Sequence, residues 1–237
     1  KYLSSEILGD FHADSIQNAA GAGVVTDAGN LYVEKFIDEF RNFFIVNNSL
    51  LEEKFDFNRL KISDAEVQYK NISTKTIIFC EGWKAMENPL FNYLPFKPAK
   101  GEVLLVSIKN FFCTDKIIHK GIYLFHLEND LFLCGATYEW NELNDFPSAK
   151  GKEEIMGKLK KLIHLPFEVI EHNAGVRPSV KDRRPLIGLH PQNKRAGIFN
   201  GFGTKGVMLA PYFAKQFFDF LENGIAMDRE VDIKRFA

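Results

Sequence analysis

The sequence predicts a mixed fold, α/β and α+β, in which an α/β layer is interrupted by a mostly antiparallel unit. Three observations lead to this prediction. A strand and an amphipathic helix open the chain, and a nearly all-apolar run at 76–80 (TIIFC) has the pattern of a strand buried on both faces. A strand-rich block follows Pro89, Pro95 and Pro98, which mark a crossing between structural units. A strand and a helix then close the chain, so the two layers are predicted to interleave.

The individual elements follow from local patterns. Alternation or β-branched runs predict strands, and apolar residues at helical spacing predict helices. The last helix is bounded by Gly206 and by Gly224, a natural helix stop, and we expect Pro211 in its first turn. In chain order the predicted elements are strand 22–27, helix 31–44, strands 60–63 and 65–70, a polar turn at 71–74, strand 76–80, strands 101–108, 121–126 and 131–135 with a hairpin turn at 128–130, helix 151–163, strands 167–176, 185–189 and 196–200, and helix 206–223.

Composition narrows the class of protein. The chain has 237 residues, of which 46% are hydrophobic, enough for a sizeable core. Lys and Arg total 30 and Asp and Glu total 31, so the net charge of -1 gives no reason to expect nucleic acid or an anionic membrane as a partner. No apolar run approaches the ~20 residues that span a bilayer. No signal peptide is visible, and the few cysteines favour a reducing, cytoplasmic setting.

The three cysteines do not indicate a disulfide framework or a metal site. They are few and odd in number, and no two have the close spacing of a zinc site. Cys80 and Cys134 each end an apolar run, which places them in predicted strands as small hydrophobic residues. We therefore expect no metal.

A glycine-rich segment, NGFGTKG at 200–206, joins a predicted strand to the last helix. Glycine lets the backbone approach a ligand closely, and a helix N-terminus offers unpaired N–H groups and a partial positive charge. The segment therefore suits an anionic ligand. A tight turn without any ligand predicts the same pattern, and the segment lacks the context of a Rossmann fingerprint.

Two further segments carry candidate ligand contacts. Arg177 precedes Pro178, which restricts the local backbone, and an arginine held in this way can grip a carboxylate through two parallel hydrogen bonds. The alternative is a surface arginine paired with Asp182. In TIIFCEGW at 76–83, Gly82 follows a buried strand and would bring backbone near a ligand at the carboxyl edge of a sheet. An ordinary strand-to-turn stop is the alternative there.

These segments occur in the order and approximate spacing of the D-amino-acid oxidase/glycine oxidase superfamily of FAD-dependent oxidoreductases, which the chain resembles from about Gly23 to Leu221. The matching segments are AGVVTDAGNLYVEKFIDEF, TIIFCEGW, LPFKPAKGEVLLV, YLFHLENDLFLCGATYEW, and GVRPSVKDRRPLIG followed by IFNGFGTKGVMLAPYFAKQFFDFL. In TIIFCEGW, Cys80 and Glu81 replace the small pair usual in the family.

The resemblance implies FAD as a non-covalent cofactor and the oxidation of an amine or amino-acid C–N bond by hydride transfer to the flavin. It also implies two interleaved domains. A partial FAD/NAD(P)-binding α/β domain would comprise 27–89 and 176–237. A substrate domain with a mostly antiparallel sheet would comprise 1–26 and 90–175.

The resemblance also implies roles for particular residues, although it identifies no catalytic residue. Arg177 matches the arginine that grips the substrate carboxylate, and Tyr123 and His126 would line the substrate pocket. His126 has an alternative as a histidine on a strand face. Thr204 stands where glycine oxidases carry a second arginine, which puts a small amino-acid substrate in doubt. The residues implied to bind the cofactor are Gly82, Trp83, Gly201, Phe202, Gly203, Thr204, Lys205 and Gly206.

The chain departs from the family at its start, because it contains no GxGxxG strand–turn–helix. We therefore expect a fragment that lacks the ADP-binding Rossmann unit and is inactive by itself. Two other functions stay open. One is a non-catalytic small-molecule-binding or interaction domain that keeps the oxidase fold. The other is the oxidase half of a tRNA wobble-uridine modification enzyme, against which the absence of a basic excess argues.

Overall fold

The computed structural model describes residues 3–9, 11, 14–17 and 21–236. Within these ranges the chain forms short strands and three α-helices. The strands are β1 (Leu3–Leu8), β2 (Ala22–Val25), β3 (Leu60–Ile62), β4 (Val67–Tyr69), β5 (Ile72–Thr74), β6 (Ile77–Phe79), β7 (Ala99–Ser107), β8 (Ile118–His119), β9 (Tyr123–Glu128), β10 (Leu131–Gly135), β11 (Glu168–Arg177), β12 (Leu186–Leu189) and β13 (Ala196–Asn200). The helices are α1 (Val33–Val46), α2 (Ala149–Lys160) and α3 (Gly206–Asn223).

The chain divides into two compact units, each made of two separate stretches. The first unit comprises the described residues of Lys1–Thr26 together with Phe96–Ser179. The second comprises Asp27–Pro95 together with the described residues of Val180–Ala237. The sequence predicts boundaries at 89/90 and 175/176, whereas the structure places 90–95 in the second unit and 176–179 in the first.

The first unit is built on a five-stranded antiparallel sheet with the order β11-β7-β10-β9-β8. Its two faces differ in burial, because side chains alternate along each strand. Leu104 and Val106 on β7 are fully buried, whereas Val103 and Leu105 are half-buried. The buried face packs against α2 and forms the core of this unit, which includes Leu104, Val106, Ile108, Ile122, Leu124, Phe132, Cys134, Ile155, Leu159, Leu162 and Ile163.

Two local predictions in this unit can be compared with the structure. The hairpin turn at 128–130 is confirmed, since Leu131 pairs with Glu128 and Asn129 has a φ of 48°. Helix α2 begins at Ala149 instead of 151. Its start is fixed by Ser148, whose Oγ accepts a hydrogen bond from the Gly151 N–H at 3.0 Å. Such a side-chain cap satisfies one of the unpaired N–H groups of the first turn.

The second unit contains two small sheets. In one, β12 pairs antiparallel with β13, and β13 pairs parallel with β6. The other is a β3-β4-β5 meander. The predicted polar turn at 71–74 was wrong, because Ile72–Thr74 forms β5 and the turn consists of Lys70 and Asn71 alone. Lys70 adopts the left-handed conformation in this tight turn, with a φ of 55°.

The burial predicted for β6 was also wrong. Ile77 and Ile78 are only half-buried, and in the described part of the chain β6 pairs with β13 alone. Cys80 lies beyond the end of β6 and is exposed. Cys134 does lie in a strand, β10, as predicted, and burial raises the pKa of its thiol to about 12.

Helix α3 is confirmed with the predicted bounds, and Gly224 ends it in the left-handed region at a φ of 68°. Pro211 is its sixth residue, not in its first turn, so one N–H donor is missing inside the helix. Phe213 and Phe217 of α3 pack with Ile187 and neighbouring apolar residues into the core of this unit. Helix α1 is also confirmed, but none of its residues is buried, and its phenylalanines form an exposed stripe.

Candidate functional site

In the second unit, the carboxyl ends of two parallel strands lie side by side. Ala196 of β13 pairs with Ile77 of β6, and Ile198 pairs with Phe79. Both strands therefore run out at the same edge of the sheet, where the chain turns into Gly82 after β6 and into Gly201 after β13. This edge is where ligands bind in open sheets with parallel strands.

Asn200 ties the two turns together. The residue is 3% exposed. Its Nδ2 donates a hydrogen bond to the Gly82 carbonyl at 2.8 Å, and its Oδ1 accepts one from the Gly201 N–H at 2.7 Å. A buried amide must satisfy its hydrogen bonds within the protein, so Asn200 fixes the two glycine turns against each other. Sequence reasoning did not single out this residue. The available signal was a polar residue ending the apolar strand AGIFN.

The glycines in these turns share a backbone conformation that favours glycine but differ in the space around them. Gly82, Gly201 and Gly203 all have positive φ, of 60°, 77° and 55°. A Cβ on Gly201 would lie 2.7 Å from Cγ2 of Val180 and 3.0 Å from the Leu186 nitrogen, so Gly201 is packed against the sheet. A Cβ on Gly82 would meet nothing within 4 Å, so the backbone there borders open space.

The N-terminus of α3 follows directly. Its N-cap is Lys205, which gives no side-chain hydrogen bond to the first turn. The N–H groups of an uncapped first turn carry a partial positive charge that attracts anions. Thr204 and Lys205 are exposed, whereas Phe202 packs its ring against Phe199 at a centroid distance of 4.8 Å. The structure therefore brings Gly82 and residues 201–206 to one edge of the second unit.

Two side chains after β6 add to this edge. Trp83 is half-buried in a 3-10 turn over Gly82–Glu87. Glu81 is also half-buried, and burial raises the pKa of its carboxyl, opposed by a hydrogen bond that Asn88 Nδ2 donates to Oε2 at 2.7 Å. Glu81 is one of the two residues that replace the small pair usual in the family that the chain resembles, so the structure places a half-buried carboxyl at this position.

In the first unit, Arg177 lies across the half-buried face of the sheet. Its Nη1 donates to the Thr137 carbonyl at 3.1 Å, and its guanidinium carbon lies 4.4 Å from the centre of the Tyr138 ring. A Cβ on Gly101 would lie 1.9 Å from Arg177 Nη2, so the guanidinium occupies the space that a side chain at 101 would take. The arginine is thus held in one orientation by a carbonyl, a ring and a bare stretch of backbone.

Arg177 has no carboxylate partner among the described residues. Asp182, the partner considered in the alternative interpretation, instead forms an ion pair with Arg235 at 3.0 Å. A guanidinium that is fixed in place and unpaired can accept an anion from outside through its remaining N–H groups.

Tyr123 shares this face with Arg177. Across the sheet, Tyr123 of β9 pairs with Gly135 of β10, Gly135 pairs with Val103 of β7, and Val103 pairs with Asn173 of β11. Asn173 is four residues before Arg177 on β11, so all of these residues lie on one face. Burial raises the pKa of the Tyr123 hydroxyl, and the nearby charge of Arg177 opposes this shift. The hydroxyl is therefore protonated at neutral pH and can donate a hydrogen bond.

His126 lies on the opposite face of the sheet. It is an odd number of residues from Tyr123 along β9, so its side chain points to the core side. Its ring lies 5.0 Å from that of Phe132, and its Nε2 is 2.9 Å from the Asn129 carbonyl. The structure does not bring His126 to Arg177 and Tyr123, and its surroundings are those of the alternative, a histidine on a strand face.

A buried polar cluster lies on the core side of β7, and sequence reasoning did not identify it. Glu102 accepts hydrogen bonds from the N–H and the Oγ of Ser148, at 2.9 and 2.8 Å, and lies 2.8 Å from His172 Nε2 and 3.7 Å from Lys100 Nζ. Burial alone would raise the pKa of Glu102, but these hydrogen bonds and the charge of Lys100 hold it below its usual value. A Cβ on Gly151 would lie 2.3 Å from Glu102 Oε2, so the carboxylate sits directly at the start of α2.

The described residues contain neither a membrane-spanning helix nor a cluster of metal ligands. No helix there is both long enough and apolar enough to cross a membrane. No group of three or more His, Cys, Asp or Glu side chains among them is placed to hold a metal ion.

Comparison with known proteins gives one consistent family. Residues 2–219 match the FAD dependent oxidoreductase family. Over 130 residues the chain is 30% identical to glycine oxidase of Bacillus subtilis (strain 168), an alignment that covers 54% of this chain and 35% of the relative. Over another 130 residues it is 31% identical to glycine oxidase of Bacillus licheniformis, covering 53% and 35%. These alignments therefore span about a third of the relatives' length.

Solved structures agree on the fold. Glycine oxidase from Geobacillus kaustophilus superposes with a TM-score of 0.80 at 16% identity, over 99% of this chain and 66% of that one. Glycine oxidase from Bacillus cereus ATCC 14579 gives 0.78 at 16% identity, over 95% and 65%. The chain thus shares the fold of these two glycine oxidases.

Proposed function

The chain belongs to the FAD dependent oxidoreductase family, and from this premise we propose that the protein oxidises the C–N bond of an amine or amino acid with non-covalently bound FAD. The observation that carries the proposal is the sheet edge of the second unit. There Asn200 ties two glycine turns together beside the uncapped N-terminus of α3.

This edge fits a flavin. The cofactor needs backbone that can be approached closely, and the backbone at Gly82 borders open space in a conformation that side chains rarely adopt. Gly82, Trp83 and residues 201–206 would hold it. Bound there, FAD would supply the acceptor for a hydride from the substrate carbon next to nitrogen. The first turn of α3 and the exposed Lys205 favour negative charge on the bound group.

Arg177 and Tyr123 would bind the substrate. Arg177 is fixed by Thr137 and Tyr138 without a carboxylate partner in the described chain. It can therefore grip a substrate carboxylate without first breaking an ion pair. The protonated Tyr123 hydroxyl on the same face would donate a hydrogen bond to the same substrate. A carboxylate-bearing substrate, such as an amino acid, is therefore favoured over a simple amine.

The two units would divide these tasks. Asp27–Pro95 and the described residues of Val180–Ala237 carry Gly82 and 201–206, so we assign this unit to the cofactor. The unit built on the five-stranded sheet carries Arg177 and Tyr123, and we assign it to the substrate.

The test is an absorption spectrum of the purified full-length gene product. We expect flavin bands that bleach without oxygen when a suitable amino acid is added. Arg177→Lys is the matched variant. It should keep the flavin bands, because Arg177 is assigned to substrate, but require a higher amino-acid concentration to bleach them. A colourless protein that takes up no added FAD would contradict the proposal and favour a non-catalytic binding domain.

A further inference from the structure

We propose that Thr137 is a positioning residue for Arg177, because its hydroxyl takes the place of its own carbonyl in the pairing with β7. The carbonyl is thereby left free to hold the guanidinium. This inference rests on the proposed function, in which Arg177 binds the substrate carboxylate.

The hydrogen-bond ladder beyond the end of β10 shows the exchange. Lys100 and Glu139 form a regular antiparallel pair, in which the Lys100 N–H donates to the Glu139 carbonyl at 2.7 Å and the Glu139 N–H donates to the Lys100 carbonyl at 2.9 Å. Two residues further along, Glu102 and Thr137 should repeat this pattern. The Thr137 N–H does donate to the Glu102 carbonyl, at 3.2 Å. The Glu102 N–H, however, donates to Thr137 Oγ1 at 3.0 Å and not to the main-chain carbonyl.

The released carbonyl has a defined use. It accepts the hydrogen bond from Arg177 Nη1 at 3.1 Å. Glu102 and Thr137 are 3% and 4% exposed, so water does not replace a partner lost from this ladder. The Glu102 carboxylate accepts hydrogen bonds from the N–H and the Oγ of Ser148, so Glu102 is held through its side chain as well as through its main chain.

Removal of the hydroxyl should therefore reach Arg177. In Thr137→Val the buried Glu102 N–H loses its acceptor, and a regular antiparallel pair would offer it the main-chain carbonyl of residue 137. If that carbonyl returns to the ladder, Arg177 loses its hydrogen bond. In Thr137→Ser the hydroxyl is kept and Arg177 stays in place. Thr137→Cys lacks the γ-methyl group but keeps a polar Sγ, which is a weaker acceptor than a hydroxyl, so its effect should be intermediate.

The experiment measures carboxylate binding directly, with acetate as the probe and the full-length protein as the sample. Tryptophan fluorescence reports binding, because Trp140 stacks on Tyr138 at a centroid distance of 6.0 Å, next to the guanidinium. We expect the acetate Kd to rise about tenfold in Thr137→Val (about 1.4 kcal/mol) and to be unchanged in Thr137→Ser. With the amino acid that bleaches the flavin, KM should rise by a similar factor while kcat stays within about twofold.

Each outcome decides the question. An acetate Kd that rises in Thr137→Val and in Arg177→Lys, with the wild-type value in Thr137→Ser, supports the inference. A rise in Arg177→Lys without one in Thr137→Val or Thr137→Cys overturns the inference and leaves the proposed role of Arg177 standing. Wild-type binding in Arg177→Lys overturns that proposed role and the inference with it. If Thr137→Val does not fold, Thr137→Cys carries the same comparison.

Discussion

The substitution Gly101→Ala tests how Arg177 is held. Gly101 lies on β7, one strand from Arg177, and the guanidinium covers its Cα. An added methyl group would lie 1.9 Å from Nη2 and 2.1 Å from Cζ of Arg177. The guanidinium is the far end of a flexible side chain, so we expect it to move while the strand keeps its place.

The size of the effect follows from the contacts that this movement breaks. To bring these contacts out to 3.0 Å, below which Cβ contacts are essentially never seen, the guanidinium must retreat by more than 1 Å. It then loses the hydrogen bond to Thr137, about 1.5–3 kcal/mol for a charged donor, and the contact with the Tyr138 ring, about 0.5–1 kcal/mol. Replacing glycine in a strand returns about 0.5–1 kcal/mol. The net loss of stability should be about 1–3.5 kcal/mol, and a misplaced arginine should weaken carboxylate binding about 10- to 100-fold.

The assay is urea unfolding together with the acetate titration, and Gly175→Ala is the matched control. Gly175 is the cross-strand partner of Gly101 on the same face of the sheet, and a Cβ there would meet nothing within 4 Å. We expect Gly175→Ala to be neutral or slightly stabilising and to bind acetate like the wild type. Equal stability and equal acetate affinity in the two variants would refute the reasoning.

Three further substitutions have defined outcomes. Glu102→Gln should cost about 3 kcal/mol at pH 7 in urea unfolding, because it leaves a buried cation without its charged partner. The folded pKa of Glu102 is lowered, so its contribution is present above the unfolded value of about 4.3 and is lost as pH falls through the folded pKa. The gap between variant and wild type should therefore be full at pH 7 and narrow as the pH falls below about 4.3. A gap that does not change with pH would contradict this assignment. Gly201→Ala should lower stability by at least about 1–2 kcal/mol, since its φ is 77° and its Cβ would meet neighbouring backbone. Gly206→Ala is its control, because it lies in a helix with its nearest contact at 3.6 Å and should gain up to about 1 kcal/mol. Asn200→Ala should weaken FAD binding, measured by titration of the apoprotein, because the turn at Gly82 loses its tie. Unchanged FAD affinity would show that the tie does not shape the cofactor site.

Much of the fold could be predicted because it is encoded locally. β10, β13 and α3 have the predicted bounds, since each is a short apolar pattern closed by glycine, asparagine or a turn. The error at 71–74 has a local cause as well. All three residues of β5, Ile72–Thr74, are exposed. The strand therefore needs no alternation of apolar and polar residues, which is the pattern by which a strand is recognised in a sequence.

The site was predicted unevenly. Glycines and Arg177 stand out in the sequence because glycine-rich turns after strands and an arginine before a proline are visible locally, although each pattern also has an ordinary structural explanation. Asn200 and Glu102 do not stand out, because an isolated polar residue in a strand usually faces solvent, and only their burial shows that they hold other groups.

The sequence by itself determined the order of the elements, the positions of the glycine turns and the family that the chain resembles. Each of these depends on short patterns of residues that lie close together in the chain. Only the tertiary structure decided which side chains meet. A strand has two faces, and the register with its neighbours places Tyr123 on the face of Arg177 and His126 on the opposite face, against Phe132. Tertiary structure also brings Glu102 opposite Thr137, where the Thr137 hydroxyl accepts the Glu102 N–H and the Thr137 carbonyl accepts a hydrogen bond from Arg177.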